Sequence, residues 1–260
     1  MILQIKPYLY IFRLRVKETV QYKFNYFATL MYAFISTVIY AFLGFALFSG
    51  SERVDPKYFL CYYGLIALVA EAISPAQYVA HKMMTDILSG EIAVHLVRPY
   101  HYLGTLYAGY LGECIPKVVF HMLFVAGVQI YLLGKVSPLA LILGGIACIQ
   151  GFSIFFWIQA LIGCLTVWIK DVTRIRDVIF SLLLLLGGRL IPVEYLLQSL
   201  QRIVVYTPIV HVYDTPMRIF LGNVPGGAAL LAQFAWVVLL GGACVLLFRF
   251  QVRKRIEMGG

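Results

Sequence analysis

The sequence predicts an all-α integral membrane protein with six transmembrane helices. Of its 260 residues, 62% are apolar and 13% are charged, whereas soluble domains are about half apolar and about a quarter charged. The apolar residues gather in long runs, most of which reach the roughly 20 residues that cross about 30 Å of hydrocarbon as a helix. Few residues remain for a soluble domain, so any ATPase or large ligand-binding module has to lie on another chain.

Six apolar runs are the predicted spans, and the fifth is shorter than the rest. An even number of spans puts both termini on the same side of the membrane. Lysine and arginine concentrate near the two termini and in the links after the second and fourth runs, so the positive-inside rule places both termini in the cytoplasm. The predicted spans are roughly Tyr26–Phe48, Tyr58–Ala80, Cys114–Leu133, Leu139–Ile169, Val178–Ile191 and Ala228–Phe248.

The formal net charge of +9 is spread over separate segments at the membrane edges. This distribution favours contact with anionic lipid and argues against nucleic-acid binding, which needs basic residues clustered on one surface. The five cysteines show neither CxxC nor Cys/His spacing. We therefore expect buried structural cysteines and no metal site.

Residues 1–24 contain a predicted amphipathic helix, Ile5–Lys23, which lies in the inner membrane interface. Its apolar face would rest in lipid, and its bases would lie near the headgroups. Such a helix is either a membrane anchor or a connecting helix that also contacts a cytoplasmic partner. The apolar face comprises Ile5, Leu9, Phe12, Val16 and Val20, and the basic face comprises Lys6, Arg13 and Lys17.

A polar interruption, His81–Tyr102, separates the second and third apolar runs. It is longer than a simple loop needs, and two of its stretches, Met83–Leu88 and Ile92–Val97, are compatible with helix. Gly90 permits a turn between them, and Pro99 ends the second stretch because the residue before a proline avoids the helical region. We expect a short cytoplasmic helix-turn-helix, which is either a docking element for a partner or a solvated loop. The side chains expected to be exposed are Asp86, Glu91 and Arg98.

The outer segment, residues 187–227, is interrupted by Pro192, Pro208, Pro216 and Pro225. Pro192 suits the first turn of a helix, and Pro208 would end that helix. We expect one or two short helices that re-enter the outer leaflet, which a membrane tolerates where protein or a water-filled cavity covers them. An amphipathic loop at the interface is the alternative.

Two ionisable side chains are candidates for a translocation path. Glu71 lies well inside the second run, where a carboxylate is costly unless it faces the bundle interior or water. A structural hydrogen-bonding role is the alternative for this residue. Arg189, at the outer end of the fifth run, is a candidate for the same path or for the interface.

Two further patterns near the start of the third run predict helix contacts. Glu113 and Lys117 are four residues apart in the favourable order, so we expect an ion pair with Lys117 reaching toward the interface. Gly104, Ala108 and Gly112 form a stripe of small residues. Such stripes let another helix approach closely in a membrane.

The motifs of energy conversion and hydrolysis are absent from the sequence. It has no GxxxxGK[ST] phosphate loop, no HExxH and no GxSxG. We therefore expect a non-enzymatic subunit that receives its energy from a partner.

The layout resembles the ABC-2 family of exporter permeases over essentially the whole chain. Asp86–Tyr100 reads DILSGEIAVHLVRPY and is similar to a run in a subgroup of these permeases, and Tyr206–Gly222 is similar to their outer proline-containing region. The family's large-residue-plus-proline pattern after span five corresponds to Leu190–Pro192. Here an atypical Gly-Gly-Arg precedes it, which is a departure from the family's pattern.

The resemblance implies one ABC-2 transmembrane domain over residues 1–260, paired with an identical or sister permease chain and with two ABC ATP-binding subunits. ATP and magnesium would bind to those subunits, and this chain would carry no cofactor. The complex would export an amphiphilic or hydrophobic substrate, such as a drug, peptide, lipid or lipid-linked glycan, across the cytoplasmic membrane. The alternatives are an ion-gradient-driven transporter and a membrane scaffold. The implied coupling helix would dock the ATPase through Lys82, Asp86, Ser89, Gly90, Glu91, Arg98 and Pro99.

Overall fold

The computed structural model describes residues 5–48, 56–98, 100–134, 136–222 and 224–252. Within these ranges the chain forms only helices, helical turns and short links. The helices are α1 (Ile5–Gln21), α2 (Lys23–Phe48), α3 (Pro56–Ile73), α4 (Val79–Leu88), α5 (Glu91–Leu96), α6 (Tyr102–Leu133), α7 (Pro138–Cys164), α8 (Thr166–Ile169), α9 (Thr173–Leu186), α10 (Gln198–Val204), α11 (Val210–Leu221) and α12 (Gly226–Leu247).

Four helical segments among the described residues are long and apolar enough to cross a membrane. They correspond to the second, third, fourth and sixth predicted spans and cover Cys61–Leu88, Tyr102–Tyr131, Pro138–Ile169 and Gly226–Phe250. The chain is therefore a multi-pass membrane protein.

The other two predicted spans differ from each other. A 26-residue helix, α2, covers the first. The fifth corresponds to α9, whose 14 residues extend only about 21 Å at 1.5 Å per residue. This length is short of the roughly 30 Å hydrocarbon layer, so the count of six stays a prediction.

The second span and the first part of the polar interruption, up to Leu88, form one continuous helical segment. A 3₁₀ turn, Ser74–Tyr78, joins α3 directly to α4. Pro75 is compatible with this junction because proline is tolerated in the first turn of a helix. Helix α4 is therefore an extension of the span that precedes it.

The core is centred on α7, which packs against α3, α4, α6, α11 and α12. This helix is apolar all round, as expected for a helix enclosed by others. Phe152, Phe155 and Phe156 are fully buried in its middle. Gly151 lets α11 approach closely, since a Cβ atom there would lie 2.6 Å from the carbonyl oxygen of Val212.

The outer segment contains two short helices, as predicted, but its first helix begins later than expected. Pro192 has φ −54° and ψ 136° and precedes a 3₁₀ turn, so it does not occupy the first turn of an α-helix. Leu197 is extended as well, and α10 starts only at Gln198. In contrast, Pro216 lies inside α11 without ending it, because burial against α7 stabilises that helix. Their position in the outer leaflet stays a prediction.

The predicted helix α1 packs along the first half of α6, and the small-residue stripe forms the contact. The ring of Tyr8 lies over Gly104, and the backbone of Phe12 lies so close to Gly112 that a Cβ there would be 2.6 Å from its carbonyl oxygen. The expected close helix approach is thus confirmed.

The predicted lipid-facing side of α1 is wrong in part. Phe12 contacts protein, whereas Ile5, Leu9 and Val20 are exposed. Periodicity could not distinguish these positions, because an apolar residue that meets lipid and one that meets a helix look alike in sequence. Lys6, Arg13 and Lys17 are exposed, in keeping with the predicted basic face.

Candidate coupling element and transport cavity

The polar interruption forms the predicted helix-turn-helix, with α4 and α5 joined at Ser89 and Gly90. Gly90 has φ 77°, in the left-handed region that glycine adopts without steric cost. The Ser89 hydroxyl accepts a hydrogen bond of 3.4 Å from the backbone N–H of Glu91 at the start of α5. We call residues 79–96 the α4–α5 turn.

The expectation that Asp86 is exposed is wrong, because its side chain is completely buried. One carboxylate oxygen accepts a 2.6 Å hydrogen bond from the Lys82 ammonium. The other accepts a 2.7 Å hydrogen bond from the hydroxyl of Tyr102 at the start of α6. A buried carboxylate is tolerated when a cation and a donor satisfy it in this way.

The sequence contained a signal for the burial of Asp86. The buried residues of α4 include Val79, Met83 and Asp86, which follow the i, i+4, i+7 spacing of a single helix face. The acid therefore shares its face with apolar side chains. The charge of Asp86 predicted that its side chain is exposed to solvent, whereas the helical periodicity of α4 indicated correctly that it faces the interior.

The other predicted docking residues lie at the surface. Ser89, Gly90, Glu91 and Arg98 are exposed. Lys82 is half exposed and lies 3.9 Å from the Glu91 carboxylate as well as beside Asp86. Pro99 lies outside the described residues.

Aromatic side chains missed by the sequence analysis enclose the Asp86–Tyr102 pair. The Tyr102 ring stacks on Phe248, just beyond α12, at a centroid distance of 5.7 Å. The His95 ring of α5 meets Tyr102 edge-on at 5.3 Å. We call Lys82, Asp86, His95, Tyr102 and Phe248 the Asp86 cluster. No short motif spans these distant positions, so only the fold reveals the cluster.

The position of His95 favours its uncharged form. Burial lowers the pKa of its imidazole below the ordinary value of 6.5, and the Arg98 guanidinium lowers it further. Its Nδ1 atom is buried and makes no hydrogen bond within the described part of the chain. Burial and Arg98 therefore disfavour protonation of His95, and the Asp86 and Glu91 carboxylates offset only part of that effect.

A cavity of about 880 Å³ lies between α1, α2, α3, α6 and α9. Both predicted path residues, Glu71 and Arg189, line it. The lining mixes charged side chains with aromatic rings, including those of Tyr22, Tyr32, Tyr40 and Tyr78. Such a surface provides both apolar contact and hydrogen-bonding groups.

An ion-pair network crosses one side of the cavity. The predicted pair between Lys117 and Glu113 is confirmed at 3.4 Å. The Lys117 ammonium also lies 3.3 Å from the Glu71 carboxylate and 3.2 Å from the Ser74 hydroxyl. Lys117 therefore points into the bundle toward α3, and the expectation that it reaches toward the interface is wrong, since its side chain is only 14% exposed.

Arg189 also lines the cavity, shortly after the end of α9. The backbone that carries it is fixed by α3, since the hydroxyls of Tyr62 and Tyr63 donate to the carbonyls of Gly188 and Leu190 at 2.5 and 2.9 Å. Gly188 has φ 86°, so the Gly-Gly-Arg sequence is the feature that permits this turn.

The guanidinium of Arg189 is positioned by aromatic contact. It lies 5.8 Å from the centre of the Tyr213 ring, and its Nε atom is buried without a hydrogen-bond partner among the described residues. It also makes no ion pair within that part of the chain. This cation can therefore bind a further group in the cavity.

A comparison with protein families agrees with this architecture. The family model for ABC-2 family transporter proteins matches residues 55–256, which is more than half of the chain. The chain belongs to the ABC-2 transporter family. A search of curated proteins found no match. Membrane subunits of the ABC-2 family are transport subunits, are not themselves catalytic, and generally associate with ABC ATPase subunits.

Proposed function

We propose that this ABC-2 chain is the permease subunit of an ATP-driven exporter in the cytoplasmic membrane, with both termini in the cytoplasm. The observation that carries the proposal is the continuity of α3 and α4. One helical segment, Cys61–Leu88, bears Glu71 of the cavity and ends just before the exposed Ser89 and Gly90 of the α4–α5 turn. A force applied at the turn therefore reaches the cavity without crossing a flexible loop.

The α4–α5 turn acts as the coupling helix in this proposal. Its exposed charges Lys82 and Glu91, together with Arg98 just after it, dock an ATP-binding subunit, while Ser89 and Gly90 allow close approach at the tip. Closure of two such subunits around ATP and magnesium displaces the turn. Because α4 also packs against α7 and α8, the displacement moves the core as well as the second span.

The cavity supports an amphiphilic substrate. Tyrosine rings provide apolar surface, and Arg189 together with the Lys117 network provides polar contacts. This combination suits a drug, peptide, lipid or lipid-linked glycan that carries both kinds of surface. Two permease chains, identical or sister, would complete the complex with two ATP-binding subunits.

The test compares charge reversal at the docking surface with the same change elsewhere. Glu91→Lys should abolish co-purification of an ATP-binding subunit with this chain, or should abolish ATP-dependent efflux of substrate by the reconstituted complex in proteoliposomes. The matched control is Glu194→Lys, on the predicted outer side, which should leave both unchanged. Efflux that follows an ion gradient without ATP would support a secondary transporter, and stable assembly without any efflux would support a scaffold. Normal ATP-coupled efflux from Glu91→Lys would count directly against docking through this turn.

A further inference from the structure

We propose that Asp86 is a positioning residue that makes α6 follow the movement of the α4–α5 turn. The inference rests on the proposed function and adds a second route from the turn into the bundle. The first route is the covalent continuity of α3 and α4. The second is the hydrogen bond from the Tyr102 hydroxyl of α6 to the Asp86 carboxylate of α4.

The chemistry of the Asp86–Tyr102 contact is unusual for a surface element. Asp86 is fully buried and Tyr102 is 2% exposed, although most of the described residues between them in sequence are exposed. Both oxygens of the carboxylate are occupied, one by Lys82 at 2.6 Å and one by Tyr102 at 2.7 Å. A hydrogen bond to a charged group, shielded from water, is stronger and more directional than a neutral one.

The contact joins elements that the chain itself connects only loosely. After α4, the chain passes through Ser89, Gly90 and the six-residue α5 before α6 begins. Within the described part of His81–Tyr102, the Asp86–Tyr102 bond is the side-chain hydrogen bond that ties α4 to α6. Without it, α4 could move while the α5 link absorbed the displacement.

Tyr102 is placed to pass a displacement onward. Its ring stacks on Phe248 and meets His95 edge-on, so α5 and the end of α12 contact the same side chain. Further along α6, Glu113 and Lys117 line the cavity. A shift of Tyr102 thus moves the helix that carries Lys117, which is paired with Glu71 of α3.

The decisive variant is Tyr102→Phe, which removes the hydroxyl and retains the aromatic ring against Phe248 and His95. Tyr100→Phe is the matched control, since Tyr100 accepts a hydrogen bond from Arg98 at the surface and has no contact with Asp86. Both variants are placed in a chain with Tyr32→Cys, an exposed position on the cavity. All five native cysteines are buried, so a water-soluble maleimide reports this position.

The experiment measures the rate of maleimide labelling in the full complex with its ATP-binding subunits, with and without ATP plus vanadate. The unmodified cavity reporter and Tyr100→Phe should show the same nucleotide-dependent change in rate. Tyr102→Phe should reduce that change on the order of tenfold, the factor that corresponds to one lost hydrogen bond to a charged group. ATP hydrolysis should continue, because docking itself is intact.

The outcomes separate this inference from the proposed function. If the unmodified complex shows no nucleotide-dependent change, the proposed function fails and the inference fails with it. If the unmodified complex and Tyr102→Phe respond equally, the positioning role of Asp86 is overturned and the exporter proposal stands. Should Tyr102→Phe fail to assemble, Asp86→Asn decides by the same measurement, since it keeps the size of the side chain and replaces the charged acceptor of the Tyr102 hydroxyl with a neutral one.

Discussion

The Lys117 ammonium lies 3.3 Å from the Glu71 carboxylate and so connects α6 to α3 at the cavity. Lys117 also lies 3.4 Å from Glu113, which gives one cation shared between two acids. The two sides of this network are unequal. Loss of Glu71 leaves a complete Lys117–Glu113 pair, whereas loss of Lys117 leaves two carboxylates without a cation.

Lys117→Met should therefore destabilise the protein more than Glu71→Gln does. We expect Lys117→Met to cost about 2–4 kcal/mol and Glu71→Gln about 1 kcal/mol, because uncompensated charge in a poorly hydrated site is the costly outcome. Thermal unfolding of the purified protein in detergent measures the difference. The double variant, Glu71→Gln with Lys117→Met, should be more stable than Lys117→Met alone. Equal destabilisation by the two single changes would contradict the sharing of Lys117 between two carboxylates.

Gly112→Ala should detach α1 from α6. A Cβ at this position would lie 2.6 Å from the backbone carbonyl of Phe12, and backbone cannot move aside as a side chain can. We expect a loss of about 1–3 kcal/mol from such overpacking, together with faster proteolysis within α1. The control is Gly127→Ala in the same helix, where a Cβ meets nothing within 4 Å; it should be neutral or slightly stabilising.

Arg189→Gln should change transport while leaving stability nearly unchanged. The substitution removes the contact of Arg189 with the Tyr213 ring but no ion pair among the described residues, so we expect only a small loss of stability. Stimulation of ATP hydrolysis by a panel of amphiphiles should fall, and the melting temperature should stay within a degree or two of the unmodified value. Arg202→Gln, at an exposed position of α10, serves as the control and should alter neither quantity.

The α4–α5 turn should loosen as the pH falls below about 6.5. The pKa of His95 is lowered in the folded chain, so the turn binds more protons when it opens than when it is packed against the bundle. Packing of the turn is consequently favoured at higher pH and weakened as the pH falls through the ordinary histidine value. Amide hydrogen exchange over residues 91–97, corrected for intrinsic rates, should show this opening, and His95→Gln should remove the pH dependence.

The sequence predicted the local elements well where one pattern determined them. The helix-turn-helix at Ser89 and Gly90 followed from a glycine between two helix-compatible stretches, and the contact at Gly112 followed from spacing alone. The burial of Asp86 was missed because its partner Tyr102 lies 16 residues away in sequence and across a turn. Likewise, Glu113 was identified as a partner of Lys117 from their spacing, whereas Glu71 is 46 residues distant and only the packing of α3 on α6 brings it near.

The outer segment shows a different reason for a missed prediction. Pro192 and Pro216 have similar chemistry, but one precedes a 3₁₀ turn and the other lies within a helix. The difference is tertiary, since α11 is buried against α7 and α10 is largely exposed. The prolines therefore indicated that this segment is irregular, but they did not determine where each helix begins.

The contact between α1 and α6 has a consequence for how the protein is made. The Tyr8 hydroxyl accepts a hydrogen bond from the backbone N–H of His101, which lies 93 residues later in the chain. During synthesis from the N-terminus, α1 thus emerges well before the surface on which it finally packs. Its amphipathic pattern provides an interim location, because such a helix can rest on the membrane surface until α6 is inserted. The apolar residues of α1 then contact lipid during biogenesis, and some of them later contact the finished bundle.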